Sequence, residues 1–191
     1  MNDLAFYFYE GWHHIISTNA LDHQLFILAL SAIYLVNDWK KVLVLVTAFT
    51  IGHSLTLALS VYDVIRVKEV WVEFLIPCTI LITALFNIFQ QEDHNRKFRL
   101  NYLFALFFGL IHGLGFANAI RFMLAKDQTI GRCLLGFNIG LEAGQILVVS
   151  AILLLSYVFV NRIGVKKRYW IYTLSGIAFI WAVKFAIERI P

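Results

Sequence analysis

Apolar stretches separated by short polar ones recur along the chain, at roughly 21 to 37, 42 to 62, 70 to 90, 100 to 123, 134 to 160 and 169 to 187. Each approaches the ~20 residues that an α-helix needs to cross the hydrocarbon of a bilayer. The pattern predicts six crossings. Residues 4 to 17 are apolar and aromatic but too short and too polar at one end to span, so they read as an interfacial or re-entrant helix. Glycines recur at Gly136, Gly140 and Gly144 in the fifth stretch and at Gly109 and Gly113 in the fourth. Small residues one turn apart let neighbouring membrane helices approach closely.

Composition agrees. Of 191 residues, 60% are hydrophobic and 15% charged, with a mean hydropathy of +0.75. A water-soluble domain cannot hide that much apolar side chain, so soluble enzymes, nucleic-acid modules and disordered tails are excluded. The expected fold class is all-α, a polytopic membrane helix bundle forming one domain over 1–191. The start of the chain carries Asp3 and Glu10 and no early Lys or Arg, so it is not expected to be a cleaved signal peptide.

Basic residues set the expected orientation. Alternate loops hold Lys40, Lys41, Arg96, Lys97, Arg99, Arg162, Lys166, Lys167 and Arg168, against Arg66, Lys68, Arg121, Lys126, Arg132 and Arg189 on the other side. The richer group is expected in the cytoplasm, which puts both termini outside a bacterial-type inner membrane. Cys78 and Cys133 form no CxxC pair and read as small apolar fillers.

Ionisable side chains at membrane depth are costly and therefore point to function. Five of the six histidines, His13, His14, His23, His53 and His112, fall in or against the apolar stretches; only His94 sits in a charged loop with Glu92 and Asp93. Asp22 stands beside His23, and Asn138, Glu142 and Gln145 share a face of the fifth stretch at helical spacing. At 1.5 Å per residue, His53 lies about 14 Å, His112 about 17 Å and Glu142 about 12 Å below the outer ends of their helices. All of these groups are expected in the outer half. Thr47, Thr50 and then His53 or Ser54 form a polar stripe on the second crossing. Adjacent residues diverge by about 100° on a helix, so one of His13 and His14 is expected to face the site. Asp22 also suits a helix N-cap.

Imidazoles with carboxylates and no thiolate describe a site for a borderline divalent metal: nickel, cobalt or zinc, with iron a further option. Such an ion would offset the cost of Asp22 and Glu142 held ionised in low dielectric. The same donors also fit an intramembrane zinc hydrolase with Glu142 as base. A third option is a haem protein using His53 and His112 as axial ligands.

The motifs GWHH at 11 to 14, DHQLF at 22 to 26, AFTIGHSLTL at 48 to 57, GLIHGLGFA at 109 to 117 and FNIGLEAGQ at 137 to 145 together resemble the HupE/UreJ family of integral membrane proteins. That family usually shows a histidine, a short glycine-bearing spacer and then Asp-His, whereas here seven residues separate His14 from Asp22. The resemblance implies a nickel or cobalt permease associated with hydrogenase or urease maturation, with metalloenzyme maturation proteins as partners beside the metal ion and the bilayer. It implies roles for His14, Asp22, His23, His53, His112, Asn138 and Glu142. A carrier is the leading expectation, an enzyme the lesser, and no nucleic acid is expected as a partner.

Overall fold

The computed structural model describes residues 3–89, 94–123 and 129–191; Glu92, Asp93 and Lys126 lie outside them. Every regular element among the described residues is helical. The helices are α1 (Asp3–Ile16), α2 (Leu21–Ser31), α3 (Trp39–Val61), α4 (Glu69–Phe89), α5 (His94–Gly115), α6 (Ala117–Met123), α7 (Ile130–Ser156) and α8 (Lys167–Glu188). A 3-10 turn at Thr18–Ala20 separates α1 from α2, and α7 runs on into a π-helical end, Tyr157–Arg162.

Four stretches are long and apolar enough to cross a bilayer: Val36–Val61, Glu69–Phe89, Ile130–Arg162 and Lys167–Glu188. Their open faces carry Ile51, Leu55, Leu85, Leu154 and Ile180. In a bilayer such faces meet acyl chains, which a helix can do because its backbone groups bond within the segment. The other two expected crossings are not among these four. The stretch 21–37 holds only the 11 residues of α2 before the chain turns. The stretch 100–123 is divided at Gly115 and Phe116 between α5 and α6, and α5 opens with Arg96, Lys97 and Arg99. The N-terminal segment, expected at an interface, packs lengthwise against α7 and buries Tyr7 and Ile15 completely.

Close backbone packing organises the bundle into pairs. In α1 and α7 a methyl group at Gly11 would strike the Phe137 carbonyl, and one at Gly140 the Phe8 carbonyl. In α3 and α5, Gly109 lies against the Phe49 carbonyl, Gly52 against Leu106 and Gly113 against His53. Within each pair the register rises together, so the two helices run parallel. Without a hydrophobic drive between helices in lipid, this contact is what holds them together. α4 and α8 form a third pair.

The sense of α7 follows from three contacts. Arg121 on α6 reaches the Ser60 carbonyl and Asp63 at the end of α3. The Tyr7 hydroxyl donates to the Met123 carbonyl at 3.1 Å, and the Tyr7 Cβ lies beside Gly136. The start of α7 therefore lies where α3 ends, and the two helices run antiparallel. At the other end Asn87 of α4 donates to the Ala29 carbonyl of α2 at 2.6 Å and to the Ser175 hydroxyl of α8 at 3.3 Å.

Candidate metal centre

His14 stands two residues before the end of α1, where the helix stops at Ile16. The carbonyls released by that stop need donors, because the surroundings offer no water. Gln24 of α2 supplies them, donating Nε2–H bonds to the Ile15 carbonyl at 2.9 Å and the Ser17 carbonyl at 3.0 Å. The same bonds fold α2 back against the end of α1 and bring His23 next to His14, with ring centroids 4.6 Å apart.

His53 enters from α3 and His112 from α5, both at the level set by the glycine contacts between those helices. Ring centroids lie 6.2 Å apart for His14 and His53, 6.0 Å for His23 and His53, and 5.0 Å for His23 and His112. One nitrogen each from His14, His23 and His53 lies within 4.8 Å of the others. Two ligands about 2.1 Å from one ion can be at most about 4.2 Å apart, so small ring rotations bring the set into bonding range. Phe26, Phe49, Phe116 and Phe137 wall the group with ring contacts.

The imidazoles are nearly sealed from solvent: His53 is 0%, His112 1% and His23 6% exposed. Yet His14 Nε2, His23 Nε2, both nitrogens of His53 and His112 Nε2 have no hydrogen-bond partner among the described residues. A buried polar atom left unpaired costs about 1–3 kcal/mol. Several such atoms pointing into one place are a donor set awaiting an acceptor. His112 is also oriented for that role. Its Nδ1–H donates to the Phe108 carbonyl at 2.8 Å, leaving Nε2 with a free lone pair.

The remaining residues singled out by sequence lie elsewhere or have other partners. His13 is exposed and stacks on Tyr9 at 5.9 Å, so it is His14 of the pair that joins the other imidazoles. Asp22 gives one carboxylate oxygen to Arg189 at 2.8 Å, and its Oδ1 is buried without a partner. Asn138 Oδ1 is likewise buried and unpartnered. Glu142 accepts a hydrogen bond from the Thr47 hydroxyl at 2.8 Å, and Gln145 one from Thr50 at 2.8 Å. These two bonds bridge α7 to α3 along the threonine stripe. Three residues that the sequence reading passed over also matter: Gln24, which caps the break after α1; Arg189, which holds Asp22; and Phe137, which packs on His14 and His53. Gln24 sits within the DHQLF motif. Arg189 carried no signal beyond its charge.

Comparison with known proteins completes the description. A family model described as HupE / UreJ protein matches residues 1–189. No match is found among curated proteins or among solved structures.

Proposed function

The chain belongs to the HupE/UreJ family, and from that premise we propose that it is a permease carrying a divalent transition metal, of the nickel or cobalt type, across the membrane. The observation that carries this reading is the group of buried imidazoles with orphaned nitrogens. Neutral nitrogen donors without thiolates suit nickel, cobalt and zinc. In this reading the metal is cargo, held by His14, His23, His53 and His112, with Asp22 behind them as a carboxylate.

We propose further that the short helices complete crossings in pairs. α1 with α2 would form one broken span and α5 with α6 another, giving six with α3, α4, α7 and α8. Broken helices are found in membranes where backbone lines a cavity or an ion site, and the breaks here adjoin the histidines. Both chain ends would then lie outside the cytoplasm, as the distribution of Lys and Arg suggests. The hydrolase reading has less support, since Glu142, its base, is bonded to Thr47, and the Ser54 hydroxyl is bonded to the Thr50 carbonyl at 2.6 Å.

The test is uptake of nickel, cobalt or zinc into proteoliposomes under an inside-negative potential. A dication falling through about 100 mV releases about 4.6 kcal/mol, enough to drive accumulation. Uptake above that of empty vesicles for at least one metal, lost in His53→Ala, is the expected result. Vesicles no better than protein-free ones for all three would end the proposal.

A further inference from the structure

Two segments of the chain repeat, and the repeat is visible in sequence and in contacts at once. Gly-x-x-His occurs at 11–14 in α1 and 109–112 in α5, with Phe6 and Phe104 at the same offset before it. Phe-x-Ile-Gly occurs at 49–52 in α3 and 137–140 in α7. Short motifs of this kind recur by chance, so the packing has to decide.

It decides clearly. Gly11 lies against the Phe137 carbonyl and the Leu141 amide, while Gly109 lies against the Phe49 carbonyl and the His53 amide. Gly140 lies against the Phe8 carbonyl and the Trp12 amide, while Gly52 lies against the Leu106 carbonyl and the Leu110 amide. Under the sequence match Phe137 corresponds to Phe49, Leu141 to His53, Phe8 to Leu106 and Trp12 to Leu110. The contacts of Gly11 and Gly140 in the α1/α7 pair therefore have their counterparts, backbone atom for backbone atom, in those of Gly109 and Gly52 in the α3/α5 pair. The correspondence extends outward. Helix α1 stops after Ile16 and α5 after Gly115, two residues beyond His14 and three beyond His112. Asn-Ala followed by an aliphatic residue comes next in both, at 19–21 and at 118–120, one residue later in the second copy. α2 packs on α7 as α6 packs on α3, and the fourth members, α4 and α8, pack on each other. Since α3 and α7 run antiparallel, the two units are inverted relative to one another.

We infer that the chain is two inverted copies of one unit, α1–α4 and α5–α8, with the metal centre between them, and that ions cross by exchange of conformation between the copies. This rests on the transport reading of the site. His14 and His112 are the same residue of the unit, each within one turn of its break. The C-terminal ends of α1 and α5 thus approach the site from opposite sides, and the carbonyl end of a helix carries the partial negative charge that favours a cation. His53 has Leu141 as its counterpart and His23, two residues after Leu21, has Phe122, so two of the four ligands are not duplicated by the repeat.

The copies differ in how their second segments are held. α2 is packed on α4, α7 and α8 and bonded through Asn87 and Gln24, whereas the described part of α6 is held mainly on α3 through Arg121. Inverted repeats in two conformations define a second state without new information: the copy now clamped loosens, and the loose one clamps.

The experiment uses the full chain in liposomes with Cys78→Ala and Cys133→Ala, and single cysteines read by a membrane-impermeant thiol reagent. Val64→Cys and Gly131→Cys should label from one face and Val165→Cys from the other. Labelling of Val64→Cys and Gly131→Cys from opposite faces would make the copies parallel and overturn the inference. Next, saturating nickel chloride should change the reactivity of Ala29→Cys on α2 and Ile120→Cys on α6 in opposite senses, by about tenfold each. Changes in the same sense, or none at either position, would also overturn it. Reciprocal changes in a protein that shows no uptake would sustain the exchange and remove the transport reading instead.

Discussion

His112 donates its Nδ1–H to the Phe108 carbonyl one turn earlier on its own helix, at 2.8 Å. A carbonyl can only accept, so this bond fixes the tautomer and leaves Nε2 as the nitrogen able to meet an ion. His112→Asn should therefore weaken nickel or zinc binding by about 10–100-fold, and Phe108, which accepts the bond through its backbone, should tolerate Phe108→Leu within about threefold. Isothermal titration of detergent-solubilised protein measures both.

The two adjacent histidines of α1 separate cleanly. His14 meets the His23 ring at 4.6 Å, while His13 is exposed and stacks on Tyr9. His14→Ala should lower metal affinity at least tenfold, since one ligand of a small set is removed, and His13→Ala should leave it within about twofold. Elemental analysis after dialysis against a fixed nickel concentration distinguishes the two.

Acid should release the ion. An imidazole must be neutral to act as a ligand, so each bound histidine competes with a proton, and affinity falls once the pH is low enough to protonate the set. The outer ion pairs do not open over the same range. Hydrogen bonds from Arg66, with Arg121 nearby, hold the Asp63 carboxyl below the ordinary carboxylate range. A depressed carboxylate contributes stability above its unfolded pKa of about 3.9 and loses it only as pH falls through the lower folded value. Between pH 7 and pH 5 that pair therefore stays formed, and loss of binding belongs to the histidines. Binding isotherms at pH 7.5, 6.0 and 4.5 check this: affinity should drop with acid, and with the same pH dependence in Asp63→Asn as in the parent.

Much of this arrangement was legible in the residue pattern, and what was not has physical causes. Polar residues at helical spacing on α3 and α7 do meet, as Thr47 with Glu142 and Thr50 with Gln145. Periodicity reports a shared face but not the partner across from it, so a carboxylate expected among the histidines is bonded to a threonine. The break after α1 falls where the segment 4 to 17 gives way to the stretch from 21, whereas the end of α2 was hidden because Ala32, Ile33 and Leu35 are as apolar as the helix before them. Hydropathy measures whether a segment prefers lipid, not whether it stays helical. The glycine spacing indicated close packing, yet only the three-dimensional register showed Gly11 and Gly109 in equivalent contacts.

Those glycines give a stability prediction. Gly109→Ala and Gly11→Ala push a methyl group into the carbonyls of Phe49 and Phe137, contacts that cannot open without separating two helices. Each should cost about 1–3 kcal/mol, and more if the pair splays. Gly176→Ala, on α8 with open space around it, should be neutral or slightly stabilising, as alanine is the better helix former. Thermal unfolding followed by tryptophan fluorescence in one detergent ranks the three.

Arg189 and Asp22 supply the last test, because they decide how negative the centre is. Asp22 lies beside His23 and has one oxygen held by Arg189 at 2.8 Å while the other is buried and unpaired. With the guanidinium in place the carboxylate is largely neutralised by a resident cation, and an incoming dication meets little net negative charge. Arg189→Gln removes that cation from a low-dielectric setting, where an unpaired carboxylate strongly favours any positive partner. At pH 8, where protons compete least, nickel affinity should rise by about five- to tenfold. Asp22→Asn in the same background should abolish the gain, since the charge that produced it is gone. If Arg189→Gln instead lowers affinity while the protein keeps its melting temperature, Arg189 is positioning Asp22 as a ligand rather than neutralising it. The double variant then separates the two roles: it should bind like Asp22→Asn alone if neutralisation is the whole effect.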